Sequence, residues 1–331
     1  MPSDKPSIPS ERGGLDLRRR VISFLGEQGF IVIFVLWALF LSFSTDSFAT
    51  PNNIFTILRQ ATIIGILAIG EHLVVLLGTM DVSLAAILTL TGVAMAAALA
   101  NFGLPPYLAG LIVLAIGAII GLVNGWIITR LKINPIITTL GMMSVLEGLA
   151  FIYTQGKTIF GNEIDPIEFL SRGRIFEIIP VPVIVLFVLY ILAFWMLRHT
   201  VLGASLFAVG NNEKAAWLAG INTDNVKLIA FTLAGMLAGV GGIMQVARQG
   251  TATGGMGGDF LFPVLTAVVL GGASLSGGRG KILNTLVAAI FLTTITNGMI
   301  LLGVSIYAQR IVSGAILITA LSLDRLRTVR K

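Results

Sequence analysis

Glu71, His72 and Glu147 are the residues that could do chemistry inside this chain, because each ionisable group sits deep in an apolar stretch. A charged group at membrane depth costs ~2.5 to 3.5 kcal/mol, so it turns toward a bundle interior or an aqueous path. Helix neighbours point about a hundred degrees apart, so Glu71 and His72 cannot line the same strip, although either could meet Glu147 across two helices. Such a set is either a polar lining that exchanges protons or a structural interhelical pair. Asp81 and Asp259 fall at the edges of apolar runs, where capping and turn formation compete with a lining role.

Motifs for catalysis are missing. Gly277-Gly278-Arg279-Gly280-Lys281-Ile282 resembles a phosphate loop, yet Leu275 stands where its first Gly belongs and Ile282 where a Mg-binding hydroxyl belongs. There is no Gly-x-Ser-x-Gly elbow and no HExxH. Without Cys there are no disulfides, thiolate ligands or Cys nucleophiles, and His72 and His199 are too far apart in sequence to suggest a metal cage. The expectation is no catalytic residue, no metal and no ATP-binding motif.

The elements that position these residues are set by composition. With 56% apolar and 11% charged residues and a mean hydropathy of +0.94, the chain takes the bilayer as its solvent. Backbone amides in lipid must pair within their own segment, so an all-α polytopic membrane protein is expected. Val82 to Thr129 contains no charge, which at ~20 residues per span means two helices joined by a turn at Asn101 to Pro106. Apolar runs predict ten spans: Phe30 to Ser44, Ile57 to Leu77, Val82 to Ala100, Tyr107 to Thr129 and Pro135 to Tyr153, then Val181 to Leu197, Leu228 to Ala247, Leu261 to Leu275, Leu283 to Leu302 and Tyr307 to Leu323.

An even number of spans puts both termini on one side. Placing that side in the cytoplasm assigns it sixteen of the 22 basic residues and leaves Arg59, Lys157, Arg172, Arg174, Arg248 and Arg310 opposite. Topology thus accounts for the net charge of +6 with no nucleic-acid partner. Residues 1–27 are expected to be an uncleaved cytoplasmic tail, 28–324 the membrane domain and 325–331 a second tail.

A weak internal repeat joins Asp81 to Asn124 and Asp259 to Asn297, at spacings of 43 and 38 residues. Over ten spans the halves would be inverted, as in transporters with a pathway at the repeat interface; recurrence by chance in a Gly-rich chain is the rival reading. Glu71, Asp81, Asn124, Glu147 and Asn297 are the candidate pathway residues. Gly117, Gly121 and Gly125, and Gly235 with Gly239, recur every four residues and predict close helix packing.

Arg198 to Lys227 is the one long polar interlude. Asn212 can cap a helix from Glu213 to Ala219, with Glu213 in its first turn and Gly220 closing it. Ala215, Ala216, Trp217 and Leu218 would give it a small apolar surface, suited to a groove on a soluble partner or, with Trp217 as anchor, to the lipid interface.

Several motifs occur in order: His199-Thr200-Val201-Leu202-Gly203, Ala208-Val209-Gly210-Asn211-Asn212-Glu213-Lys214-Ala215-Ala216, Leu218-Ala219-Gly220-Ile221-Asn222, and Ala267 through Gly278. With Asn134-Pro135, Thr139-Leu140-Gly141-Met142-Met143 and Tyr153-Thr154, they resemble the permease subunits of bacterial ATP-binding-cassette importers for ribose, xylose, galactose and related solutes, the ribose type most of all. The resemblance covers nearly all of the chain after the tail. It implies an inner-membrane permease that pairs with a second copy or a sister permease, a cytoplasmic ATPase that holds ATP and Mg, and a periplasmic solute-binding protein that delivers a sugar-like substrate. It also implies that Gly210, Asn211, Asn212, Glu213, Ala215, Ala216, Leu218, Gly220, Ile221 and Asn222 couple to the ATPase.

The chain departs from the family pattern in several places. Gly78-Thr79-Met80-Asp81-Val82-Ser83-Leu84-Ala85 replaces Gly-Gly-Ile-Asp-Leu-Ser-Val-Gly, Glu147 replaces a basic residue, Glu71 an uncharged one and Trp217 an Arg. A self-sufficient secondary transporter that moves protons through Glu71, His72 and Glu147 is the competing expectation.

Overall fold

The computed structural model describes residues 29–329, so the tail expected over 1–27 lies outside the described residues. Helices dominate: α1 Gly29–Ser44, α2 Pro51–Leu76, α3 Leu84–Ala100, α4 Pro106–Arg130, α5 Pro135–Thr154, a single turn α6 Phe169–Arg172, α7 Val181–His199, α8 Val201–Asn211, α9 Glu213–Leu218, α10 Thr223–Gln249, α11 Leu261–Leu270, α12 Ile282–Leu301 and α13 Ile306–Val329. Six of them, α2, α4, α5, α7, α10 and α12, are long and apolar enough to cross a membrane, and α1, α3, α11 and α13 contribute shorter apolar segments. The protein is a helical polytopic membrane protein. All ten expected spans correspond to a helix, and the differences lie at their ends.

Those ends follow local chemistry. α2 begins six residues before the expected Ile57, because Thr50 accepts the Asn53 N–H at 3.4 Å and Pro51 fills the first helical position. α10 begins five residues before Leu228, where Asn222 Oδ1 accepts the Asn225 N–H at 3.0 Å. α11 stops at Leu270 rather than Leu275, since Gly271 caps it and Gly272 turns left-handed at φ +87. Residues 271–280 are therefore a folded loop, not membrane helix. α13 continues as helix to Val329, past the expected span end at Leu323.

Between α5 and α7 lies a small cap that hydropathy does not reveal. β1 Ile159–Phe160 pairs with β4 Thr251–Ala252, and β2 Arg174–Ile175 pairs with β3 Ile179–Pro180, both antiparallel.

α10 is the central helix, packed against α4, α3 and α2. Its closest approach is to α4, through the glycines whose spacing predicted it. A Cβ on Gly121 would strike the Phe231 carbonyl and stand 3.0 Å from Thr232 Cα; one on Gly235 would strike the Gly117 carbonyl and stand 2.9 Å from the Gly121 nitrogen. Backbones that close gain dispersion contact where lipid supplies no hydrophobic drive. On the other side of α2, the buried Tyr190 of α7 donates its hydroxyl to the Gly65 carbonyl at 3.1 Å. The outer faces of α4 and α5 expose Leu111, Ile119, Trp126, Ile137, Val145 and Ile152, an apolar surface of the kind lipid covers.

Gly121→Ala forces two backbones apart, so a loss of roughly 1–3 kcal/mol is expected, seen as a lower unfolding midpoint in detergent. Gly148→Ala, on the open side of α5 with nothing within 4 Å, should leave the midpoint unchanged or slightly raised.

Candidate functional site

The helical ladder breaks between Leu76 and Leu84, and the buried polar residues gather at that break. Gly78 takes φ +78, after which the chain runs without helical partners toward α3. Its amides find side chains instead, as buried backbone donors must. Glu71 of α2 accepts the Asp81 N–H at 3.2 and 3.3 Å through its two oxygens, and Thr139 of α5 accepts the Val82 N–H at 3.2 Å. Asp81 Oδ1 accepts the Ser83 N–H at 2.9 Å and the Ser83 hydroxyl at 2.5 Å, an Asx turn that starts α3. Asn124 of α4 donates to Ser83 Oγ at 2.9 Å.

Four helices thus converge on one buried motif. Its capping role does not use every acceptor: Asp81 Oδ2 and Asn124 Oδ1 are buried with no hydrogen-bond partner. Glu71 and Asp81 also border a narrow cleft walled by Leu67, Leu84, Phe260 and Val264.

His72 faces elsewhere, as helical spacing requires. Its Nδ1 lies 2.8 Å from Thr285 Oγ1 on α12, while Nε2 has no hydrogen-bond partner. Glu147 joins neither neighbour: it is half-buried on α5 and makes no hydrogen bond or ion pair among the described residues. The three groups therefore form no connected proton relay. Asp259 is exposed and pairs with Arg310 at 3.0 Å. Asn297 exchanges amide hydrogen bonds with Asn53 of α2 at 3.0 and 2.9 Å. Ser83 links Asp81 to Asn124, whereas Asp259 and Asn297 hold different partners.

The polar interlude forms a second cluster. Asn212 Oδ1 accepts the Ala215 N–H at 3.0 Å and caps α9, Gly220 closes it at φ +87, and Glu213 pairs with Lys227 of α10 at 2.5 Å. The expected apolar surface needs one correction. Ala216 is only 5% exposed, with its carbonyl accepting the Ile221 N–H at 3.1 Å, whereas Trp217 is 64% and Leu218 71% exposed. A helix of less than two turns turns one side inward, and Ala216 is on it. Gly210 is half-buried against Leu76 and Gly278, and Asn211, exposed at the end of α8, hydrogen-bonds the Gly278 carbonyl, so both also tie α8 to the 271–280 loop.

A family described as "Branched-chain amino acid transport system / permease component" matches residues 53–321, from α2 into α13. The chain belongs to this permease family. The permease is 37% identical over 305 residues to the ribose import permease protein RbsC of Escherichia coli K12, covering 91% of this chain and 94% of the relative. It is 38% identical over 297 residues to RbsC of Bacillus subtilis, covering 89% and 91%, and 31% identical over 298 residues to the D-allose transport system permease protein AlsC of E. coli, covering 90% of each. No solved structure matches the chain. As a permease component it does not carry the ATPase itself.

Sequence reasoning singled out Asp81 and Asn124 but missed Ser83, which links them, and Thr139, Thr285 and Asn53. The Asp-x-Ser spacing at an apolar boundary was a legible signal for Ser83; the others are long-range partners with no local signature. Ser83→Ala takes a donor from the buried Asp81 carboxylate and the acceptor from Asn124, so a destabilisation of ~1–3 kcal/mol is expected in thermal unfolding. Glu147→Gln should leave both the unfolding midpoint and solute uptake at wild-type values.

Proposed function

We propose that this permease is the membrane subunit of an ATP-binding-cassette importer that carries a monosaccharide or similar small polar solute inward by alternating access. The observation that carries the reading is α9, a capped and solvent-exposed helix offering Trp217 and Leu218, in a chain without a nucleotide-binding motif. Such a helix fits a groove on a soluble partner, here a cytoplasmic ATPase that supplies the ATP and Mg chemistry. Relatives named for ribose and D-allose support a sugar as solute.

In this reading both termini and α8–α9 face the cytoplasm, as the distribution of Lys and Arg favours, and the membrane is the bacterial inner membrane. A second copy or a sister permease completes the pathway, and a periplasmic binding protein delivers the solute to the opposite end. Glu71, Asp81 and Asn124 are the strongest pathway candidates: Asp81 and Asn124 each keep a buried acceptor without a partner, and Glu71 and Asp81 border the cleft. Glu147 and Asn297 are weaker, the first for want of partners and the second because Asn53 occupies it. An inverted relation between the halves remains part of the proposal, supported by the sequence spacing rather than by matching contacts.

The test is gentle purification from the native membrane. A nucleotide-binding subunit should travel with the wild-type chain. Trp217→Glu with Leu218→Glu should cut its recovery at least about tenfold, the loss expected when interface anchors are replaced. Full retention of that subunit by the double variant would remove α9 from the docking surface. Ala216→Arg is the poorer probe, since its inward side makes it a folding variant.

A further inference from the structure

Three segments far apart in sequence touch backbone to backbone where α8 ends. The Gly278 N–H donates to the Leu76 carbonyl, the last residue of α2, at 2.8 Å. Asn211, the last residue of α8, donates from Nδ2 to the Gly278 carbonyl at 3.3 Å and to its own helix at the Phe207 carbonyl at 2.9 Å. Gly210 has no room for a side chain, because a Cβ there would strike the Leu76 carbonyl and stand 2.5 Å from the Gly278 nitrogen. Gly277, at φ +82, is equally confined: its Cβ would stand 2.7 Å from the Gly210 carbonyl oxygen and 2.8 Å from the Gly78 nitrogen.

The 271–280 loop is itself stiffened by Ser274, whose N–H donates to the Arg279 carbonyl at 2.9 Å and whose carbonyl accepts the Gly277 N–H at 2.9 Å. From this joint the chain leads directly into α12, which the His72–Thr285 contact holds against α2. On the other side, Asn212 begins α9 immediately after Asn211.

We propose that this joint of Gly210, Gly278 and Leu76 is the rigid link that converts displacement of α9 into movement of α2 and α12, with Asn211 as its positioning residue. The proposal rests on the docking role of α9 argued above. Close-packed backbones without intervening side chains cannot slide independently, so a push on α8 moves the last turn of α2 and the first turn of α12 together. That last turn lies just beyond Glu71, which holds the Asp81 amide at the α2–α3 break. The joint therefore acts on the lining of the cleft without touching solute or ATPase.

The experiment reconstitutes the chain with its nucleotide-binding subunit and solute-binding protein in proteoliposomes and measures solute imported per ATP hydrolysed. Asn211→Ala, which removes the hydrogen bonds to Gly278 and Phe207 and leaves the backbones in place, and Gly278→Ala, which wedges them apart, are compared with Asn211→Ser, which keeps a donor. The first two should lower the transport-to-hydrolysis ratio by about fivefold or more while the nucleotide-binding subunit still co-purifies, and Asn211→Ser should recover part of it. A wild-type ratio in Asn211→Ala would overturn the proposal even if Gly278→Ala fails to fold. Loss of the nucleotide-binding subunit from Asn211→Ala would overturn it differently, by making Asn211 part of the docking surface. If no such subunit accompanies the wild-type chain, the importer reading falls first.

Discussion

A bilayer offers no water to an unpaired amide, and the break between α2 and α3 has to be satisfied from within the chain. The Asp81 and Val82 N–H groups are the exposed wires of that break, and Glu71 and Thr139 are what they reach. This explains why a carboxylate stands at membrane depth on α2 at no apparent profit. Glu71 is placed to accept the Asp81 amide, and Asp81 is placed to turn the chain into α3 through Ser83. Remove that satisfaction and α2, α3, α4 and α5 lose the point on which they converge. The acceptors left over, Asp81 Oδ2 and Asn124 Oδ1, are the surplus from which a polar pathway can be built.

Glycine does two different jobs in this architecture, and the contacts distinguish them. On α4 and α10 it flattens helix faces, so Gly121 and Gly235 sit against carbonyls of the opposing helix and the two pack as one body. At Gly210, Gly277 and Gly278 it removes side chains, bringing the ends of α2 and α8 and the 271–280 loop into backbone contact; Gly277 and Gly278 also adopt left-handed conformations. The first arrangement makes a stable wall. The second makes a fixed corner, where the polar interlude meets the membrane helices.

Much of this was legible in the sequence, for a reason that also limits it. A span needs a long apolar run whatever its neighbours do, so the ten segments could be read locally. The Asn212 cap and the Gly220 closure depend on residues a few positions apart and were equally readable. Legibility failed where the deciding partner is remote. Leu275 looks like helix until Gly272 turns the chain and Gly278 finds Leu76, and Glu147 looks like a partner for Glu71 or His72 until Asp81 and Thr285 occupy them. Ala216 belonged on a docking face by composition, yet orientation in a helix this short is set by which side leans on the bundle.

The same distinction separates the two clusters in what they can do. The motif around Asp81 is buried on every side and held by four helices, so it can change only if those helices move relative to one another. α9 is held by its cap and by an ion pair on one side, and presents Trp217 and Leu218 to whatever binds there. The proposed importer needs that division: a surface for docking, a core for gating, and contact between them. The backbone corner at Gly278 is where the two meet, since it touches the end of α8 on one side and the last residue of α2 on the other.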